Sequence, residues 1–293
     1  MISDITNTWV PSMRRYIDEE ALMKLIQRQG YLDFLRRNRE RPIIKVVSGI
    51  RRCGKSTLFR LFKDKLLADN VKPEQIISIN FEELEYEHLR DYHALYQYIL
   101  ERMQPNETNY IFLDEIQHVD QFHRVVDSLF VKENTDLYIT GSNAYFMSSD
   151  IATLLTGRYV EIQMLPLSFS EFYHSKYEGN QYSLIPAYEA YLRESSFPYT
   201  QQLGGEDFDI QEYLRGLYNT LLLHDVVARL KINDVTILQD IVRYIMANVG
   251  SLLSPNKIAN SLVSAGRKID NKTVERYLQG LQDSLLLYKV NRY

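Results

Sequence analysis

The stretch Gly49-Ile50-Arg51-Arg52-Cys53-Gly54-Lys55-Ser56 constrains this 293-residue chain more than any other. It satisfies G-x-x-x-x-G-K-[ST], in the setting that pattern needs. The apolar run Ile43–Ser48 leads into it, and a helical pattern from Ser56 to Leu67 leaves it. Strand, tight loop and helix in that order aim consecutive backbone N–H groups, and the positive end of the helix, at one point. Gly49 and Gly54 permit the close wrap, and Lys55 brings a full charge to β- and γ-phosphates. The Ser56 hydroxyl is a ligand for Mg2+. Gly49–Thr57 is therefore expected to cradle a nucleoside triphosphate. Cys53 lies inside the loop, where it fills space; a helix N-terminus can also lower a thiol's pKa, which predicts a reactive group that ATP protects.

Further apolar runs at Gln75–Phe81, Tyr110–Asp114, Asp136–Thr140 and Tyr159–Leu165 alternate with helical stretches at His93–Met103 and Val119–Val131. All the runs but Tyr159–Leu165 are near-continuous, as suits strands covered on both faces, and the rhythm predicts a three-layer α/β domain with a parallel five-stranded sheet. After Pro166 the strands stop. Helices are expected at Phe169–Lys176, Ala187–Arg193, Ile210–Leu230, Thr236–Val249, Ser254–Ala265 and Asn271–Ser284, with a last strand at Leu285–Val290. Helix, helix, helix, strand is the order of a winged helix-turn-helix. The expected divisions are residues 1–167, an α/β core; 168–232, a helical lid or linker; and 233–293, a winged-helix-like unit. Because a lone final strand lacks its hairpin partner, that unit is expected to be cut short at Tyr293.

Tyr110-Ile-Phe-Leu-Asp114-Glu115 is an apolar strand ending in two carboxylates, 59 residues after Lys55. At the C-terminal edge of a parallel strand they face the ligand crevice. Asp114 would hold Mg2+ and Glu115 polarise the attacking water. Neighbouring side chains on a strand point oppositely, so Glu115 must sit where the chain has already turned. The following tip, Thr140-Gly141-Ser142-Asn143, offers Asn143 or Ser142 to sense the γ-phosphate.

Gly49–Thr57, Asp114-Glu115 and this tip resemble the P-loop ATPases of the AAA+ superfamily. Together with Asp114-Glu-Ile-Gln117, Leu155-Thr-Gly-Arg158 and Leu165-Pro-Leu-Ser-Phe-Ser-Glu171-Phe, they resemble a bacterial and archaeal family of AAA-type ATPases. In that family an ATPase core precedes a winged helix and, usually, a nuclease-like domain. The resemblance runs from about Arg15 to the end and implies a three-layer P-loop NTPase of ASCE/AAA+ type, ATP with Mg2+, hydrolysis and homo-oligomerisation. Where the family often shows Gly-Gly-Phe-Pro, this chain has Ser195-Ser196-Phe197-Pro198.

A guanidinium at the γ-phosphate, in cis or from a neighbour, would come first from Arg158, with Arg51 and Arg52 as alternatives. Arg14-Arg15-Tyr16 is placed on the adenine side. From Leu230 onwards nine Lys/Arg face five Asp/Glu, whereas the first 229 residues hold 25 Lys/Arg against 33 Asp/Glu. The basic end suits an anionic partner such as DNA. Val274, Leu278, Leu281 and Leu285 form one helical stripe, with Lys272, Arg276 and Gln279 toward the other side and Lys257, Arg267 and Lys268 just upstream. His88, His93, His118, His123, His174 and His224 show no metal-ligand spacing. A single cysteine, no charged leader and no apolar run of ~20 residues fit a soluble cytoplasmic chain with no membrane partner.

Overall fold

The computed structural model describes residues 25–141, 155, 157–177, 182–203, 207–221, 226–227, 230–232 and 234–290. Five strands, β1 (Ile44–Gly49), β2 (Ile76–Asn80), β3 (Asn109–Asp114), β4 (Thr135–Gly141) and β5 (Tyr159–Met164), form one wholly parallel sheet in the order β2-β3-β4-β1-β5. The five strands predicted before Pro166 all form, each within a residue or so of its expected ends. β1 and β3 are buried along their whole length and β4 at all but its first residue, as their unbroken apolar runs require; β5, the alternating run, lies at an edge.

Alternate strand residues build two cores. Val46, Ile79, Ile111 and Ile139 pack beneath α3 (Tyr92–Arg102) and α4 (Phe122–Phe130). Val47, Phe112 and Tyr138 pack against α1 (Gln29–Asn38) and α2 (Lys55–Ala68), where Phe112 and Tyr138 stack with ring centroids 4.6 Å apart. The result is the expected three-layer α/β P-loop NTPase sandwich, with the β1–α2 loop at the C-terminal edge of the sheet. β4 lies between β1 and β3, so its tip comes up between the phosphate loop and the acidic pair.

Beyond β5 come α5 (Phe169–Tyr177), α6 (Leu184–Glu194), α7 (Asp207–Thr220), α8 (Val235–Met246), α9 (Pro255–Ser264) and α10 (Asn271–Asp283). Ser168-Phe-Ser-Glu171 starts α5 as a capping box: the Glu171 carboxylate accepts the Ser168 N–H at 2.8 Å, and the Glu171 N–H reaches back to the Ser168 hydroxyl. Leu238, Ile241, Ile258, Leu262, Val274 and Leu281 give α8–α10 a core of their own.

The helix expected over Ile210–Leu230 is α-helical from Asp207 to Thr220, and the described residues Leu221, Val226, Val227 and Leu230 beyond it are helical too. One expectation in this half is corrected. Leu285–Val290 is not a strand. Leu285 takes φ +60°, and the N–H groups of Leu286 and Leu287 turn back to the Leu281 carbonyl at 3.1 Å, so they close α10 and are not free for a ladder. Leu285 is buried with Leu217 and Leu221 beside the phosphate-loop core. No helix among the described residues is long and apolar enough to cross a membrane.

Candidate functional site

The loop leaving β1 turns through Arg52 at φ +65° and Gly54 at φ +106° before α2 begins at Lys55. Gly54 offers no capping side chain, so the first-turn N–H groups of α2 stay available to an anion. Gly49 is required by space: a Cβ there would lie 2.3 Å from the Met164 carbonyl oxygen on β5.

Lys55 is buried, and its ammonium donates to the carbonyls of Gly49 at 3.1 Å and Ile50 at 3.5 Å. It also pairs with the Glu115 carboxylate at 3.1 Å. Burial alone would depress the Lys55 ammonium; Glu115, with Cys53 and Asp114 beside it, holds the group above its usual value. The same pairing, helped by the Gln117 amide, pulls Glu115 below the ordinary carboxylate range against the penalty of burial.

Asp114 ends β3. Its carboxylate accepts a hydrogen bond from the Thr140 hydroxyl and lies near that of Ser56, and burial still pushes its pKa up. Thr140, at the tip of β4, also accepts the Glu115 N–H at 2.9 Å. Glu115 itself sits at φ +54°, ψ +48°, the turned backbone its neighbour's outward side chain demands. Lys55, Ser56, Asp114 and Glu115 thus converge, as their spacing predicted. One carboxylate and one hydroxyl make a donor set that fits Mg2+, which keeps much of its water shell; no group of three or more His, Cys, Asp or Glu suited to a metal occurs among the described residues.

Beside these groups opens a cavity of about 250 Å3. Lys55, Ser56, Thr57 and Glu115 line its polar part, and Leu25, Ile26, Leu167, Pro198 and Tyr199 its apolar part. Arg51 and Arg52 stand at its rim, Arg51 with the Glu82 carboxylate 3.7 Å away.

Other expected site residues fare differently. Asn143, Ser142 and Arg14-Arg15-Tyr16 lie outside the described residues; among the described ones, Leu25 and Ile26 line the apolar side of the cavity. Arg158 stands at the opposite edge of the sheet, where its carbonyl accepts the Ile44 N–H at the start of β1. The phosphate loop leaves the far end of that six-residue strand, about 17 Å away at ~3.3 Å per residue. Its guanidinium is held by Asp127 of α4 at 2.8 Å. A finger acting within its own chain is therefore ruled out for Arg158. Cys53 is fully buried, and burial pushes its thiol up, so the expectation of an activated, exposed thiol is also corrected.

Thr140, Gln117 and Arg28 were missed by the sequence reading. Thr140 opens the polar tip whose later residues, Ser142 and Asn143, are the expected γ-phosphate contacts. Arg28 carries no local signal; its buried guanidinium reaches Glu171 at 2.8 and 2.9 Å, and the carbonyls of Leu165, Pro166 and Cys53 at 2.5, 3.2 and 3.3 Å.

A cradle of this kind, on a sheet of this order, defines a P-loop NTPase. Residues 41–173 match the family model of an AAA domain, and 185–293 match a domain of unknown function. An uncharacterised protein of Haemophilus influenzae is 38% identical over 272 residues, 92% of this chain and 67% of its own length. One of Methanocaldococcus jannaschii is 31% identical over 269 residues, 85% of this chain and 57% of its own length. The chain thus spans between about half and two thirds of these relatives. Among solved structures, a Walker-type ATPase of Pyrococcus abyssi shares the fold at 17% identity, with a TM-score of 0.59 over 88% of this chain and 89% of that one. The chain belongs to the AAA family of P-loop ATPases.

Proposed function

We propose that this chain binds ATP with Mg2+ in the cavity beside Lys55 and hydrolyses it to ADP and phosphate. The observation that carries the reading is the meeting of Asp114 from β3, hydrogen-bonded to Thr140 from β4, with Ser56 at the start of α2, beside Lys55 and Glu115 paired at 3.1 Å. The apolar part of the cavity suits a base, and the free N–H groups at the start of α2 suit the phosphates. Ser56 and Asp114 would hold the metal, whose chemistry is to neutralise charge on the phosphate oxygens. Lys55 then exchanges its Glu115 partner for the γ-phosphate, and Glu115, freed, accepts a proton from the attacking water. Asn143 or Ser142 is assigned the γ-phosphate contact, and Arg158 contributes only from a neighbouring subunit of a homo-oligomer.

The segment 168–232 would move with nucleotide state, and 233–293 would act as a winged-helix-like unit. Lys257, Lys268, Lys272 and Arg276 are exposed on it and form the proposed face for DNA; Arg267, tied to Asp240 at 2.7 Å, is spent within the unit. The ion pair between Lys55 and Glu115 favours a second reading, a slow nucleotide-gated switch whose base stays masked until phosphate arrives. ATP turnover with and without Mg2+ and duplex DNA, followed by single-turnover kinetics of wild type against Glu115→Gln, decides between them. A motor loses its chemical step by at least about 100-fold in the variant, whereas a switch shows a wild-type step already as slow. Unchanged ATP affinity and turnover in Lys55→Ala would overturn both.

A further inference from the structure

The stretch Leu165-Pro-Leu-Ser-Phe-Ser-Glu171-Phe has no part in the phosphate chemistry, yet two of its carbonyls and its carboxylate converge on one guanidinium. Arg28 lies just before α1, 96% shielded from solvent, and spans three places at once. Its Nε and one terminal nitrogen grip both Glu171 oxygens at 2.8 and 2.9 Å, a fork-on-fork pair. The carbonyls of Leu165 and Pro166, where β5 runs out, accept at 2.5 and 3.2 Å. The Cys53 carbonyl, inside the phosphate loop, accepts at 3.3 Å.

What these contacts hold is the apolar wall of the cavity. Leu167 follows the two captured carbonyls, is buried against Phe172, and packs with Ile26, two residues before Arg28. Its N–H donates to the Ser196 carbonyl at 2.7 Å, which ties in the turn bearing Pro198 and Tyr199, the rest of that wall.

We infer that Arg28 and Glu171 are positioning residues: their ion pair clasps the apolar wall to the phosphate loop and so sets the grip on the nucleoside end of the ligand. This rests on the ATP reading above. Neither side chain is needed to bind phosphate, since Lys55, Ser56 and the N–H groups of α2 do so without them. Removing the clasp should therefore weaken ATP while sparing a bare triphosphate chain.

The test is calorimetric binding of Mg·ATP and of magnesium tripolyphosphate to wild type, Glu171→Gln and Arg28→Lys, with Tm recorded for each. Losing a charged hydrogen-bond pair at the wall is expected to raise the Kd for ATP about tenfold in both variants. The Kd for tripolyphosphate should stay within about twofold, so the ratio of the two moves. A purely structural role predicts a lower Tm with both affinities falling together; that outcome, or no loss of either, overturns the clasp. Should Glu171→Gln not fold, the ratio in Arg28→Lys, which keeps the charge but not the fork, decides alone. A wild-type chain that binds neither ligand overturns the nucleotide reading itself and not merely the clasp.

Discussion

Asp114 and Glu115 are adjacent carboxylates driven in opposite directions. Burial raises Asp114 in spite of its neighbouring hydroxyls and Lys55; Lys55 lowers Glu115. An acid whose folded pKa lies above its unfolded value costs stability as pH climbs past about 3.8, so at neutral pH Asp114 is a burden on the nucleotide-free chain. Glu115 has the other sign, contributing stability above about 4.5 that is lost as pH falls through its lowered pKa. Asp114→Asn keeps the shape and lets the Ser56 and Thr140 hydroxyls rotate to new roles. It is expected to raise the Tm of the nucleotide-free protein by roughly 2–4 °C, the effect of about 1 kcal/mol in a chain of this size. The same change should cut Mg-dependent turnover on the order of 100-fold, through loss of the metal's carboxylate. Thermal unfolding and ATPase assays on one preparation check both; a variant less stable than wild type contradicts the burden assigned to Asp114.

Among the secondary elements, legibility followed local chemistry. β1, β3 and β4 were readable because both faces are covered, so their runs are unbroken; Ser168 and Glu171 spelled a helix start in four letters. Leu285–Val290 misled because three consecutive leucines read as a strand, whereas the φ of +60° at Leu285 that ends α10 leaves no trace in composition. Ser195 shows the same limit from the other side. It sits at φ +76°, ψ +162° after α6, in a region that glycine alone enters freely. The family's glycine at this turn therefore has a conformational reason, and the serine here bears the strain. Ser195→Gly should stabilise the chain by about 1 kcal/mol, less than the 1–3 kcal/mol such strain can reach because glycine also frees the unfolded chain. Urea unfolding at constant m-value measures it; a lower midpoint would mean that the serine is not strained.

The two edges of the sheet serve different ends, a division that sequence could not disclose because it depends on strand order. At the C-terminal edge polar groups stand ready for a ligand. At the N-terminal edge Lys45 and Asp136, each fully buried, pair with one another and bond further within the protein: Lys45 donates to the Arg41 carbonyl at 2.9 Å, while Asp136 accepts the Tyr138 hydroxyl at 2.7 Å and the Glu40 N–H at 2.8 Å. Lys45 sits within an apolar strand, where periodicity reads only an interruption; its partner 91 residues on becomes visible once β4 lies beside β1. Asp136→Asn leaves the Lys45 charge buried and unpaired, which costs about 3–5 kcal/mol. Since the strand separates this edge from the phosphate loop by about 17 Å, the loss should fall on stability alone. The Tm drops, while the rise in Tm produced by saturating Mg·ATP stays as in wild type, because that increment depends on ligand concentration over Kd. Replacing both partners together, Lys45→Met with Asp136→Leu, should recover most of the loss, as burying no charge is less costly than burying one. A diminished ATP-induced shift in Asp136→Asn would show the two edges to be coupled, and the sheet would then transmit between them rather than hold them apart.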